Sequence, residues 1–285
     1  MSTHPSNLQH SLEFTVQFVH PDRTVSLPGM TDAIVAALLE ITPERYAQLR
    51  AQFATRVRSA AEELLSDAAF SQQIDALPFR QGATLVGLGD SITDDRQSWF
   101  EILCTVLELR RGSGSFAFVN AGISGDTTAR LIERFLGVVQ AQPDWVLCLA
   151  GTNDARLHGL QPTKTLVSAE ETERNLAMLR AYAARQTSAR WVWMTPPPVL
   201  EAKIAAYWGQ PAFQMMWRNA DLRAVAALMQ QLPPQYPGDL LVDLQSAFGP
   251  APAAELLLFD GLHPSLEGQK LIVRALVERL ASTPA

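Results

Sequence analysis

Cysteine is nearly absent: 285 residues hold two, Cys104 and Cys148. Two cysteines build no disulfide scaffold. Each sits in an apolar run, FEILCTVLEL and WVLCLAG, where cysteine behaves as a small buried hydrophobe. Positive charge is also short. Lys and Arg number 23 against 29 Asp and Glu, the net charge is −6 and the pI is about 5.4. A basic footprint for DNA or RNA is therefore missing, and no nucleic-acid partner is expected. No uninterrupted apolar run approaches the ~18 residues of a spanning helix, so no integral membrane segment is expected. The opening MSTHPSNLQHSLEF lacks the basic-then-apolar pattern of a secretion signal. The expected location is a reducing cytoplasm, although a processed secreted protein reads the same way. Repeats and low-complexity tracts are absent too. What is present is apolar material: 47% of residues are hydrophobic and mean hydropathy is +0.03. That supplies a substantial core and excludes a chain disordered throughout. The length suits one large domain, or one domain with an appendage.

The chain changes character near residue 80. Before it, Leu12, Phe14, Val16 and Phe18 alternate with mostly polar residues, the period of a half-buried strand. His20-Pro21-Asp22-Arg23 can turn the chain, and Thr24 to Leu27 can return as a second strand. TDAIVAALLEI then reads as a helix. Thr42-Pro43-Glu44 is a strong helix start, with a hydroxyl cap, a proline in the first turn and an acid near the positive end of the dipole. That helix is expected to run to about Leu65, with a shorter one over 66–77. Residues 1–80 carry no recognisable chemistry. Their expected role is an appendage that covers a face, rims a site or makes a homo-oligomer contact.

From residue 83 short apolar segments alternate with helical ones. ATLVGLG (83–89), FAFVNAG (116–122), WVLCLAG (145–151), RWVWMTP (190–196) and DLLVDL (239–244) read as strands. Residues 98–110, 127–141, 168–187, 211–231 and 265–281 read as helices. This is the pattern of a parallel sheet covered on both faces, so the fold class is α/β, a flavodoxin-like three-layer α/β/α sandwich. With strand order 2-1-3-4-5, polar residues at the strand ends share one crevice.

Those ends carry the chemistry. The first strand runs into Gly89-Asp90-Ser91, the second into Asn120-Ala121-Gly122-Ile123-Ser124-Gly125-Asp126, the third into Gly151-Thr152-Asn153-Asp154. Asp260-Gly261-Leu262-His263-Pro264 precedes the last helix, whose start lies over the same crevice. Pro264 biases His263 toward an extended conformation, from which it can point into the crevice. A serine hydroxyl needs a base. Of five histidines, His4, His10 and His20 lie in the appendage and His158 beyond the third strand's loop. His263 is best placed, with Asp260 to orient it. The Gly125 N–H and the Asn153 amide are suitable donors for an oxyanion.

These four blocks resemble the SGNH subgroup of the GDSL hydrolases. GDSIT (89–93) is similar to the nucleophile block, NAGISGDTT (120–128) to the block whose glycine donates to the oxyanion, GTND (151–154) to the asparagine block, and DGLHP (260–264) to the block with acid and base. All occur in family order, over about residues 83–281. The resemblance implies Ser91 as nucleophile, Asp260 as acid and His263 as base. It implies an oxyanion hole of the Ser91 N–H, Gly125 and Asn153. It also implies a small-molecule ester substrate and no metal or other cofactor. A metal site at Asp260 and His263 would need a third protein ligand, and none has convincing spacing.

Each residue also has a plainer reading. Ser91 can be a helix cap, Gly125 a turn residue, Asn153 a loop residue bonding its own backbone. Asp94, Asp95 and Arg96 depart from the small residues expected after the serine. Facing the crevice, the two acids would disfavour anionic substrates; capping the next helix, the preferred reading, they carry no specificity. The stretch 207–217 is aromatic and Met-rich. It reads first as core packing, and second as a pocket wall of Trp208, Phe213, Met216 and Trp217. Three functions remain open: ester hydrolysis, acyl transfer or thioester cleavage at the same site, and a non-catalytic binding or assembly module.

Overall fold

The computed structural model describes residues 5–24, 29–160 and 163–282. Five strands form one parallel sheet: β1 (Thr84–Gly89), β2 (Ala117–Gly122), β3 (Trp145–Leu149), β5 (Arg190–Met194) and β7 (Leu240–Val242). Their order is β2-β1-β3-β5-β7, which is 2-1-3-4-5 when only these five are counted. Leu88 is level with Ala121 on one side and Cys148 on the other. Two residue pairs, β4 (Leu157–His158) and β6 (Met215–Met216), make a separate antiparallel ribbon.

The central strands β1, β3 and β5 are buried on both faces, which is why they are continuous apolar runs and not alternating ones. Leu85, Leu147, Leu149, Val192 and Met194 pack with α4 (Pro43–Ser66), α5 (Ala68–Asp75), α7 (Trp99–Arg111) and α13 (Leu266–Ala281). Val86, Leu88, Val146, Cys148, Trp191 and Trp193 point the other way. They meet α8 (Thr128–Gln140), α9 (Ala169–Gln186) and α11 (Asn219–Met229). Cys148 is buried in the second layer and Cys104 lies in α7, both as free thiols. Among the described residues no helix is long and apolar enough to cross a membrane.

The described part of residues 1–80 is built from helices and connecting loops. The Thr42 hydroxyl accepts from Arg45 N and Pro43 opens α4. From there Tyr46, Leu49, Phe53, Val57, Ala61 and Leu64 bury one stripe at helical spacing. The expected strand over Leu12–Phe18 is instead part of α1 (Pro5–Phe18). Its two-residue alternation has a helical explanation. Leu12 and Val16 share one face, Phe14 and Phe18 the opposite face, and both faces are covered. Val16 packs with Tyr46, Leu49 and Phe53, as well as Val35 and Ala36 of α3 (Asp32–Leu38). Phe14 and Phe18 turn toward the strand ends. Thr24, expected in the return strand, ends α2 (Pro21–Thr24), and the rest of that segment, 25–27, lies outside the described residues. The helix expected over 211–231 begins only at Asn219. Before it, Gln214 has a positive φ of 49° and Met215–Met216 is extended.

Candidate active site

β1 is followed by Asp90, which caps α6 (Ser91–Asp94) by accepting from Ile92 N at 3.0 Å. α6 sits directly on the end of β2, where a Cβ at Gly122 would lie 2.4 Å from Asp94 N. Only glycine permits that approach, and it fixes the height of Ser91 above the sheet.

Before α13, His263 is held extended. Its carbonyl accepts from Leu258 N at 2.8 Å, and Pro264 bridges to Leu257. Asp260 Oδ1 accepts from the backbone N–H of Leu262 and His263 at 3.0 and 3.1 Å. Its Oδ2 lies 2.6 Å from His263 Nδ1, and His263 Nε2 lies 2.9 Å from Ser91 Oγ. A carboxylate only accepts, so the Nδ1 proton belongs on that bond, and Nε2 is left to accept from the Ser91 hydroxyl. Burial opposes the charge of His263, but the Asp260 carboxylate outweighs it and holds the imidazole above the ordinary histidine range. Burial likewise opposes Asp260 ionisation, and the facing imidazole and backbone donors still hold it below the usual carboxylate range.

Ile123 to Asp126 form a tight turn, with Asp126 N donating to Ile123 O at 3.1 Å and Gly125 at φ +86°. That backbone suits glycine. Asn153 Nδ2 spends one hydrogen on Asp126 O at 3.1 Å, while its Oδ1 accepts from Arg156 Nη1 at 3.4 Å. Ser91, Gly125, Asn153 and His263 thus line one cavity of about 190 Å³. Further walls come from Phe14, Phe18, Val19, Trp208, Met215 and Trp217.

The four blocks that are remote in sequence therefore meet. The family model for GDSL-like lipases and acylhydrolases matches residues 88–271. The chain belongs to the GDSL-like lipase/acylhydrolase family. Like its relatives, this GDSL-family protein is an ester-hydrolysing enzyme. It is 27% identical over 216 residues to the thioesterase 1/protease 1/lysophospholipase L1 of Escherichia coli K12, a match spanning 72% of this chain and 87% of that one. An alpha/beta hydrolase enzyme from the Lake Arreo metagenome has 25% identity and a TM-score of 0.57, covering 73% of this chain and 99% of that one. An acetylxylan esterase of Geobacillus stearothermophilus shares the fold, with 24% identity, a TM-score of 0.56, and coverage of 70% and 95%.

Other expectations are corrected. Asp94 and Asp95 neither face the cavity nor cap α7, whose cap is Ser98. Asp94 is buried, with His20 Nδ1 at 2.6 Å, Arg23 Nη1 at 2.8 Å and Ser124 N at 2.9 Å. Burial raises its carboxyl, but His20 and Arg23 prevail and keep it low. Asp95 accepts from Gln17 Nε2 at 2.9 Å and from Gln97 N at 2.8 Å. Of the aromatic stretch, Trp208 and Trp217 line the cavity, while Phe213 and Met216 do not and are about 40% exposed. Neighbouring strand residues face opposite ways, so in β6 it is Met215 that points in. Trp217 is both core and wall: its Nε1 donates to Thr152 O at 3.0 Å. His158 is exposed on β4. Sequence reasoning missed Arg156, Met215, Phe14 and Phe18 of the first helix, and Val19 just after it. Arg156 stands next to the GTND block, which was the available signal.

Proposed function

We propose that the enzyme hydrolyses carboxylic esters through an acyl-enzyme on Ser91. His263 removes the Ser91 proton as Oγ attacks the ester carbonyl. The imidazolium so formed is stabilised by Asp260. The backbone N–H groups of Ser91 and Gly125 and the second hydrogen of Asn153 Nδ2 receive the oxyanion. His263 then protonates the leaving alcohol, and water, activated the same way, releases the acid and restores Ser91. The observation that carries this reading is the unbroken Asp260–His263–Ser91 contact, at 2.6 and 2.9 Å. Residues 81–285 are then the hydrolase, and 1–80 an addition to it. Thioesters are a second reading, favoured by the name of the Escherichia coli relative.

A fluorophosphonate probe and p-nitrophenyl acetate test the mechanism. The probe is expected to label Ser91 alone. Ser91→Ala and His263→Ala are each expected to lower kcat by about 10⁴ or more. A folded Ser91→Ala that keeps its turnover, or a wild-type enzyme labelled elsewhere, defeats the assignment.

A further inference from the structure

The family model begins at residue 88, so it does not account for α1. Yet Phe14, Phe18 and Val19 line the Ser91 cavity. Phe18 lies against the His263 ring at 4.3 Å between centroids, tilted by 34°. Phe14 stands 5.9 Å from His263 and 5.3 Å from Phe259, which is half exposed. Phe14 therefore lies between the proposed base and an apolar rim at the surface.

The seating of α1 is polar and specific. Gln17 reaches Asp95 beneath the site at 2.9 Å, and Ser124 Oγ lies 2.6 Å from the Phe18 carbonyl. His20 and Arg23 close on Asp94. Asp94 ends α6, Asp95 follows it, and Ser124 precedes Gly125. α1 is thus registered against the elements that carry the reacting groups, which a helix merely covering apolar surface would not require.

Away from those groups and Arg156, the walls are aliphatic or aromatic. The cavity, about 190 Å³, slightly exceeds the roughly 150 Å³ that encloses one benzene. We propose that α1 is the acyl wall of the enzyme: Phe14, Phe18 and Val19 restrict it to esters of compact apolar acids, acetyl to hexanoyl in size. A longer chain would have to displace Phe14. This assignment rests on Ser91 being the nucleophile, as proposed above.

The test measures kcat/KM for p-nitrophenyl acetate, butyrate, octanoate and dodecanoate with the full-length enzyme. The wild type is expected to favour acetate and butyrate. Phe14→Ala should raise the octanoate-to-butyrate ratio by about tenfold, the worth of one to two further methylenes accommodated at about fourfold each. Val19→Trp, at a position 45% exposed, should lower butyrate relative to acetate by about fivefold. It carries the test alone if Phe14→Ala does not fold by circular dichroism. Fluorophosphonate labelling of Ser91 is followed in each protein. Unchanged ratios in folded, labelled variants overturn the acyl-wall proposal and leave the nucleophile intact. A folded wild-type enzyme that never labels at Ser91 overturns both.

Discussion

Arg156 is the residue whose surroundings ask most for an explanation. Its Nε is buried without a partner, and among the described residues no carboxylate pairs with it. Burial draws its pKa below the ordinary value. Among the described residues its guanidinium makes one hydrogen bond, at 3.4 Å to Asn153 Oδ1. That bond turns the Asn153 amide so that Nδ2 meets Asp126 O and the cavity. The guanidinium also adds positive charge beside the site where the oxyanion would form. Arg156→Met should therefore lower kcat for a neutral ester by about fivefold to tenfold, the worth of one modest hydrogen bond, with KM little changed. Steady-state kinetics with p-nitrophenyl acetate check this. A fall in KM affinity alone would assign Arg156 to substrate binding, and an unchanged kcat would remove the positioning role. Arg156 was not legible in the sequence because an arginine beside a loop is usually solvated. Ser91, Asp260 and His263 were legible because each lies in a short local pattern tied to a strand end or helix start.

At the scale of elements, α1 shows where local reading fails. Alternating apolar residues mean a strand only when one face is covered. Here Val16 packs into the small core beneath α1 while Phe14 and Phe18 pack over the site, so a helix with two buried faces has the strand's period. Nor do the acids after the serine betray their partners, His20 and Gln17, which lie some seventy residues earlier. The latch they form should be strong. Asp94 is 2% exposed and holds two cationic side chains or proton donors, so Asp94→Ala strands His20 and Arg23 beside a buried gap. Breaking a buried pair costs about 3–5 kcal/mol. With Arg23 27% exposed, the lower end, about 3 kcal/mol, is expected. The variant should show that loss in urea unfolding, and trypsin should cut faster after Arg23. Wild-type stability together with wild-type cleavage would mean that α1 is held by its aromatic face alone.

At the scale of the whole molecule, the sheet and its order were legible because the five strands are short apolar runs at βα spacing, whereas the electrostatic economy beneath it was not. Asp95 joins the N-terminal segment through Gln17 and the last helix through Gln269, and among the described residues its side-chain hydrogen-bond partners are neutral amides. Burial outweighs these amides, the Gln97 N–H and the His263 charge and pushes the Asp95 pKa up to about 7, and burial does the same to Asp90. Between the ordinary 3.8 and about 7 the folded protein keeps protons that the unfolded chain has released. Stability must then fall as pH rises through that window. His263, raised above 6.5, acts in the same direction, its contribution being complete below that value and lost above its folded pKa. Asp94 and Asp260, both lowered, act at the other end: they stabilise above 3.8 and lose that contribution as pH falls. Tm should accordingly peak in mildly acidic buffer and decline from about pH 5 to about pH 8. Ester hydrolysis should do the opposite, because the proposed base, His263, can take a proton only when neutral, so the acid limb of kcat/KM should have its midpoint above 6.5. Thermal scans over this range in wild type and Asp95→Asn, run beside the kinetic pH profile, separate the two trends. The variant should flatten the decline in Tm and keep the acid limb above 6.5. An equal decline in both proteins would show that Asp95 is already ionised in the folded enzyme, held by amides alone.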